Sequence, residues 1–142
     1  MVFSFHKTVN GVKCDVDITD DLCLIYGDSA TGKTFISNVI NSAYKSEGKR
    51  CLYVTGEDDI DKLVSDINLY TDSQSVIILD DADMCFCKEV VEALGNSKGI
   101  KIIIFKTTLE YDKVKCGSLG YYDVECKPNS VNVCRCKYGV RI

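Results

Sequence analysis

The chain has 142 residues, is 46% hydrophobic and 27% charged, and carries a net charge of −4. That length fits one domain with a real core, and the acidic balance argues against a generally basic nucleic-acid surface. No run approaches eighteen apolar residues, so no transmembrane helix is expected. The start, Met1 to Lys7, lacks the apolar core and cleavage site of a signal peptide, which makes a cytoplasmic protein the expectation.

In chain order, residues 2–18 predict a β-hairpin. Val2 to Phe5 and Val12 to Ile18 flank Asn10-Gly11, a type I′ turn signal. The second arm alternates, with Val12, Cys14, Val16 and Ile18 on one face. Leu22 to Tyr26 is a buried-strand run. Helix one is expected from about Lys33 to Lys45, with Ile36, Val39, Ile40, Ala43 and Tyr44 at helical spacing. Cys51 to Val54 is the next strand. Helix two follows from Glu57-Asp58-Asp59, with Ile60, Leu63, Val64 and Ile67 on one face.

Ser75 to Leu79 reads as a fully buried strand that ends in Asp80-Asp81-Ala82-Asp83. A short helix near 84–94 and a buried strand from Lys101 to Phe105 follow. The order β-α-β-α-β-α-β with continuous apolar strands predicts a parallel sheet with helices on both faces. From 109 onward the pattern changes to a terminal hairpin, Tyr121–Cys126 and Val131–Cys136, around Lys127-Pro128-Asn129-Ser130. The expected organisation is a hairpin lead-in over 1–21, a core over 22–108 and a C-terminal β extension over 109–142.

The stretch Gly27-Asp28-Ser29-Ala30-Thr31-Gly32-Lys33-Thr34 fits G-x-x-x-x-G-K-[ST] at every fixed position. Its glycines let successive backbone N–H groups turn toward phosphate oxygens. Lys33 adds a point charge on the β/γ-phosphates and the Thr34 hydroxyl can ligate Mg²⁺. The helix that begins there, with Phe35 in its first turn, contributes its positive end. A strand before and a helix after complete the context this motif requires.

The second constellation is Val76-Ile77-Ile78-Leu79-Asp80-Asp81. Four apolar residues deliver acids to the sheet edge where the Gly-rich loop opens. Asp80 can hold Mg²⁺ and Asp81 can orient or deprotonate an attacking water. Thr107 and Thr108 close a third strand facing the same crevice, where a hydroxyl can bond the γ-phosphate or the water; the pattern leaves open which of them does so. Asp83 reads as a helix cap.

Nine scattered cysteines without C-x-x-C read mainly as small core hydrophobes. A metal site from Cys116, Cys126, Cys134 and Cys136 fits less well than strand alternation. His6, the single histidine, reads as a solvated strand residue.

Residues 22–108 resemble the core of the P-loop ATPases with an extra strand between Walker A and Walker B, the class of AAA+, RecA-like and ABC proteins. "LIYGDSATGKTFISNVINSAYKSEGKRCLYVTGED" followed by "VIILDDAD" is similar to the AAA+ replication initiators and helicase loaders. The resemblance implies a three-layer α/β/α P-loop NTPase fold with a mostly parallel sheet, flanked here by N-terminal and C-terminal β-hairpins. It implies ATP and Mg²⁺ as cofactors, bound by Gly27 to Phe35, with Thr34 and Asp80 as metal residues. Lys33, Asp81 and Thr107 or Thr108 then do the chemistry. The departures are a missing helical lid, an Asp where the wider class has Glu, no LSGGQ-like stretch, and only three arginines, Arg50, Arg135 and Arg141.

Slow or partner-stimulated Mg-dependent ATPase activity is the expected function. A nucleotide-dependent binding module without catalysis and a small-molecule or nucleotide kinase are the alternatives; the Arg-poor stretch after Asp81 argues against the kinase. A protein partner or second copy is expected to complete the site. Nucleic acid enters only through the resemblance, with Lys106, Lys113, Lys115, Lys127 and Lys137 as a candidate patch.

Overall fold

The computed structural model describes residues 3–26, 33–55, 59–106 and 113–136. The chain runs β1 (Phe3–Val9), β2 (Val12–Ile18), β3 (Leu22–Tyr26), α1 (Lys33–Ser46), β4 (Cys51–Thr55), α2 (Ile60–Asn68) and β5 (Val76–Asp80). A 3₁₀ turn (Ala82–Met84), α3 (Lys88–Asn96), β6 (Ile100–Phe105), β7 (Leu119–Lys127) and β8 (Ser130–Arg135) complete it. All strands join one sheet in the order β1-β2-β8-β7-β3-β6-β5-β4.

The local reasons match the sequence. Asn10 and Gly11 both take positive φ, 51° and 79°, as a type I′ turn demands. The Asp59 carboxylate caps α2 by accepting from the Lys62 N–H. Strands β3, β5 and β6 are apolar on both sides because both sides are covered.

The crossovers explain which helix covers which side. From β3 the chain passes through α1 to β4 at the sheet edge, then steps back through α2 to β5 and through α3 to β6. Right-handed crossovers in opposite directions fall on opposite faces. Accordingly Ile36, Ile40 and Tyr44 of α1 pack with Cys23, Ile25, Ile78, Ile102 and Ile104. Leu63 and Ile67 of α2 and Val90 and Leu94 of α3 pack with Leu22, Leu24, Leu79, Ile103 and Phe105.

The expected three-layer α/β/α fold is corrected. The protein is a strongly curled half-barrel of eight mixed strands with three helices. The two hairpins are the cause. They were expected as a lead-in and an extension, but they pair with each other, β2 parallel to β8, and β7 pairs directly with β3. The antiparallel pairs β1–β2 and β7–β8 make the sheet mixed. Twist accumulates strand by strand over eight strands, and the apolar side of the hairpins has α1 to pack against. Both sheet edges therefore approach that helix. The Phe3 ring of β1 lies 5.0 Å from the Tyr44 ring, and Cys51 of β4 joins the same cluster. The curl puts α1 in the concave side.

Candidate active site at one end of the strands

Strands β3, β6, β5 and β4 are mutually parallel, so their C-terminal residues line one edge. Tyr26 stands beside Phe105, and Thr55 beside Asp80. The segments that follow β3, β4, β5 and β6 all leave from this edge. It is also where α1 begins, at Lys33. The end of the strand before the Gly-rich motif and the Asp80-Asp81 pair are thus brought to the same edge by topology. They belong to strands separated by one strand, β6, a lateral distance of about 10 Å at ordinary strand spacing.

Gly27, Asp28, Ser29, Ala30, Thr31 and Gly32 lie outside the described residues, as do Glu57, Asp58, Thr107 and Thr108. Lys33 and Thr34 form the first turn of α1, and the partly buried Phe35 packs against the concave core.

Asp80 is buried at the end of β5 and held from two sides. The Asp81 N–H donates to its Oδ1 at 2.9 Å, and the Tyr53 hydroxyl donates to its Oδ2 at 3.3 Å. Burial pushes the Tyr53 phenol up, a bond to Thr55 opposes that, and the charge of Asp80 adds to it, so Tyr53 stays a hydrogen-bond donor. Bonds of this kind fix the direction of a carboxylate that faces a cation. Tyr53 was not foreseen. Its signal was position: two residues before the end of a strand that neighbours the acid-bearing one.

Asp81 adopts a left-handed conformation, φ 53° and ψ 45°. This costs a residue with a Cβ about 1 kcal/mol, and Asp tolerates it better than most. Such residues cluster at functional turns. The Asp81 Oδ1 lies 3.5 Å from the Lys106 Nζ, and both side chains are about half exposed. Asp83 is not the helix cap it was expected to be. Its Oδ1 accepts from the Lys106 N–H at 2.7 Å and so ties the end of β6 to the turn after β5, while Cys87 occupies the cap position of α3. On the outer side, Tyr26 is 41% exposed and meets Phe105 edge-on at 5.7 Å.

The donor set suits a magnesium triphosphate. Mg²⁺ takes oxygen ligands, usually one or two protein groups plus phosphates and water. Asp80 supplies a carboxylate at the edge, and Thr34 sits in the first turn of the helix beside it. Among the described residues no group of three or more His, Cys, Asp or Glu gathers as a metal cluster, which includes Cys116, Cys126, Cys134 and Cys136. Of the nine thiols, Cys14, Cys23, Cys51 and Cys85 are fully buried, and burial pushes Cys51 up to about 12.

The candidate lysine patch is split. Lys106 follows β6 at the site edge and Lys127 ends β7 five residues beyond its last pairing with β3, whereas Lys113 and Lys115 flank Gly95 and Asn96 at the far end of α3. Lys137 lies outside the described residues. Among the described residues no helix is long and apolar enough to cross a membrane. No protein-family model and no curated protein matches the chain.

Proposed function

We propose that the chain binds ATP with Mg²⁺ at this sheet edge and hydrolyses it slowly, with a partner or second copy raising the rate. One observation carries the reading: parallel strands bring the end of the strand before the Gly-rich motif, the start of α1, and Asp80-Asp81 to a single edge. Ligands of open parallel sheets bind at that edge, between strands whose connections diverge. From β3 the connections run to β4 on one side, and β7 lies on the other.

Each residue then has a task. The backbone N–H groups of 27–32 and the Lys33 ammonium hold the β- and γ-phosphates, aided by the positive end of α1. Thr34 and Asp80 would hold the cation, which would supply charge neutralisation for the transfer. Asp81 accepts a hydrogen bond from the attacking water and aligns it. Hydrolysis needs positioning and charge neutralisation more than covalent help. The core resembles the replication-type ATPases in these parts, within a different overall fold.

Phosphate release at saturating ATP and Mg²⁺ tests this. Asp81→Asn is expected to lower kcat by at least about 100-fold, a loss on the scale of a missing base or positioning group, with ADP affinity unchanged. Unaltered turnover in Asp81→Asn removes Asp81 from the mechanism, and a wild type that binds ATP without releasing phosphate leaves a nucleotide-dependent binding module.

A further inference from the structure

Phosphoryl transfer to water needs a cation on the developing γ-phosphate charge, commonly an arginine. The chain has three arginines. Arg50 precedes β4 and is bound to Asp72 and Leu69; Arg135 ends β8 and is bound to Asp20. Arg50 therefore lies at the end of the sheet away from the site, and the Arg135 guanidinium is turned back toward that end, to Asp20 ahead of β3 and the Leu119 carbonyl at the start of β7. Arg141 lies outside the described residues.

Lys106 is differently placed. It is the first residue past β6, the strand inserted between β3 and β5. Tyr26 pairs with Phe105 in parallel, so Lys106 leaves the sheet level with the position at which the Gly-rich segment begins. On its other side is Asp81, 3.5 Å away. Its backbone is fixed by the bond to Asp83, while its side chain is about half exposed. A triphosphate spanning from the start of α1 to Asp80 passes over the end of β6.

We propose that Lys106 is the cis-acting cation of the reaction: its ammonium contacts the γ-phosphate and is exchanged from Asp81 on nucleotide binding. This rests on the nucleotide reading above. An exposed ion pair holds its partners weakly, so a triphosphate dianion end competes for Lys106 readily. The exchange frees the Asp81 carboxylate for the attacking water. One movement therefore loads the cation and releases the base. No bond changes until water attacks phosphorus: the P–O bond to ADP breaks, ADP leaves with that electron pair, and the water proton passes to Asp81.

The test uses Lys106→Met and Lys106→Arg in the full chain. ATP, ADP and the non-hydrolysable β,γ-imido analogue are titrated by calorimetry with Mg²⁺, and phosphate release is followed. Lys106→Met is expected to keep ADP affinity within about 2-fold and to weaken the triphosphate analogue by about 10-fold. Its kcat should fall by about 100-fold or more, and Lys106→Arg should restore most of both. A merely structural lysine would not change the ratio of triphosphate to diphosphate affinity. An unchanged ratio with unchanged kcat in Lys106→Met overturns the proposal while wild-type binding keeps the ATPase reading intact. Absence of any nucleotide binding by the wild type overturns the reading itself and the proposal with it.

Discussion

The two ends of the central strands are built on opposite plans. At the end away from the site, polar groups are locked together. Asp20 is buried and accepts from the Tyr122 hydroxyl at 2.7 Å and the Arg135 Nε at 2.9 Å, while the Thr19 N–H donates to the same tyrosine oxygen. Burial alone would raise the Asp20 carboxyl, but the bonds from Tyr122 and Arg135 outweigh it and hold it below the usual carboxylate range. Lys101, also buried, donates its ammonium to the Ser97 carbonyl at 2.6 Å, and Arg50 stacks on Tyr70 at 4.5 Å. At the site end, Asp81 sits in a left-handed turn, Lys106 forms an exposed ion pair, and Tyr26 faces solvent. Paired polar groups are concentrated where the chain turns back into the sheet, and the end proposed as the nucleotide site holds groups that can exchange partners.

Breaking the locked end is expected to have the largest effect on stability. Asp20→Ala leaves the buried Tyr122 hydroxyl and the half-exposed Arg135 guanidinium without their shared acceptor, a loss of about 1–2 kcal/mol. Urea titration reads it, and nucleotide affinity should stay unchanged. Gly120 reinforces the point, because a Cβ there would collide with the Asp20 carboxylate. The Asp20 contribution also has a sign. Its folded pKa is depressed, so the stabilisation is present above the unfolded value near 3.9 and disappears as pH falls through the lower folded value. A matching loss of nucleotide affinity in Asp20→Ala would show that the two ends are not separable.

Asp81→Gly sharpens the comparison from the other side. Glycine adopts the left-handed turn without strain, so stability should hold or rise by up to about 1 kcal/mol, while turnover is lost. A clear fall in stability would mean that Asp81 is a structural residue.

The smallest expected effect lies on the exposed face of the β1–β2 hairpin. His6 meets Asp15 through Nδ1 at 2.8 Å and Asp17 through Nε2 at 3.0 Å. The bond to Asp15, then that to Asp17, raises its pKa above 6.5. Whatever this contact contributes is complete below pH 6.5 and lost as pH rises through the folded value. Titration of the imidazole by NMR should show a raised pKa that returns toward 6.5 in Asp15→Asn. An unshifted value in the wild type would remove the contact from the account.

What could be read from the sequence divides along local and non-local lines. The β3-to-β6 run was legible because apolar strands, helical spacing and acidic starts are local signals. The Asn10-Gly11 turn was legible for the same reason. The half-barrel was not. Nothing near Val12–Ile18 or Ser130–Arg135 says that these strands pair across more than a hundred residues, and that pairing turns two appendages into half of the sheet. The motif residues of the proposed site stand out in the sequence by type and spacing. Tyr53 and Lys106 do not, since their relevance depends on which strand lies beside which. Asp83 was misread because its partner is the backbone of Lys106, 23 positions away.

The most direct measurement is calorimetric binding of ATP and ADP with Mg²⁺ to the wild type and to Lys33→Ala, with thermal unfolding of both proteins as the control for folding. The account predicts micromolar-range binding, a difference of about 8 kcal/mol from the 1 M reference, lost in a Lys33→Ala protein that unfolds at the wild-type temperature. Binding that survives Lys33→Ala, or a wild type that binds neither nucleotide, would contradict it.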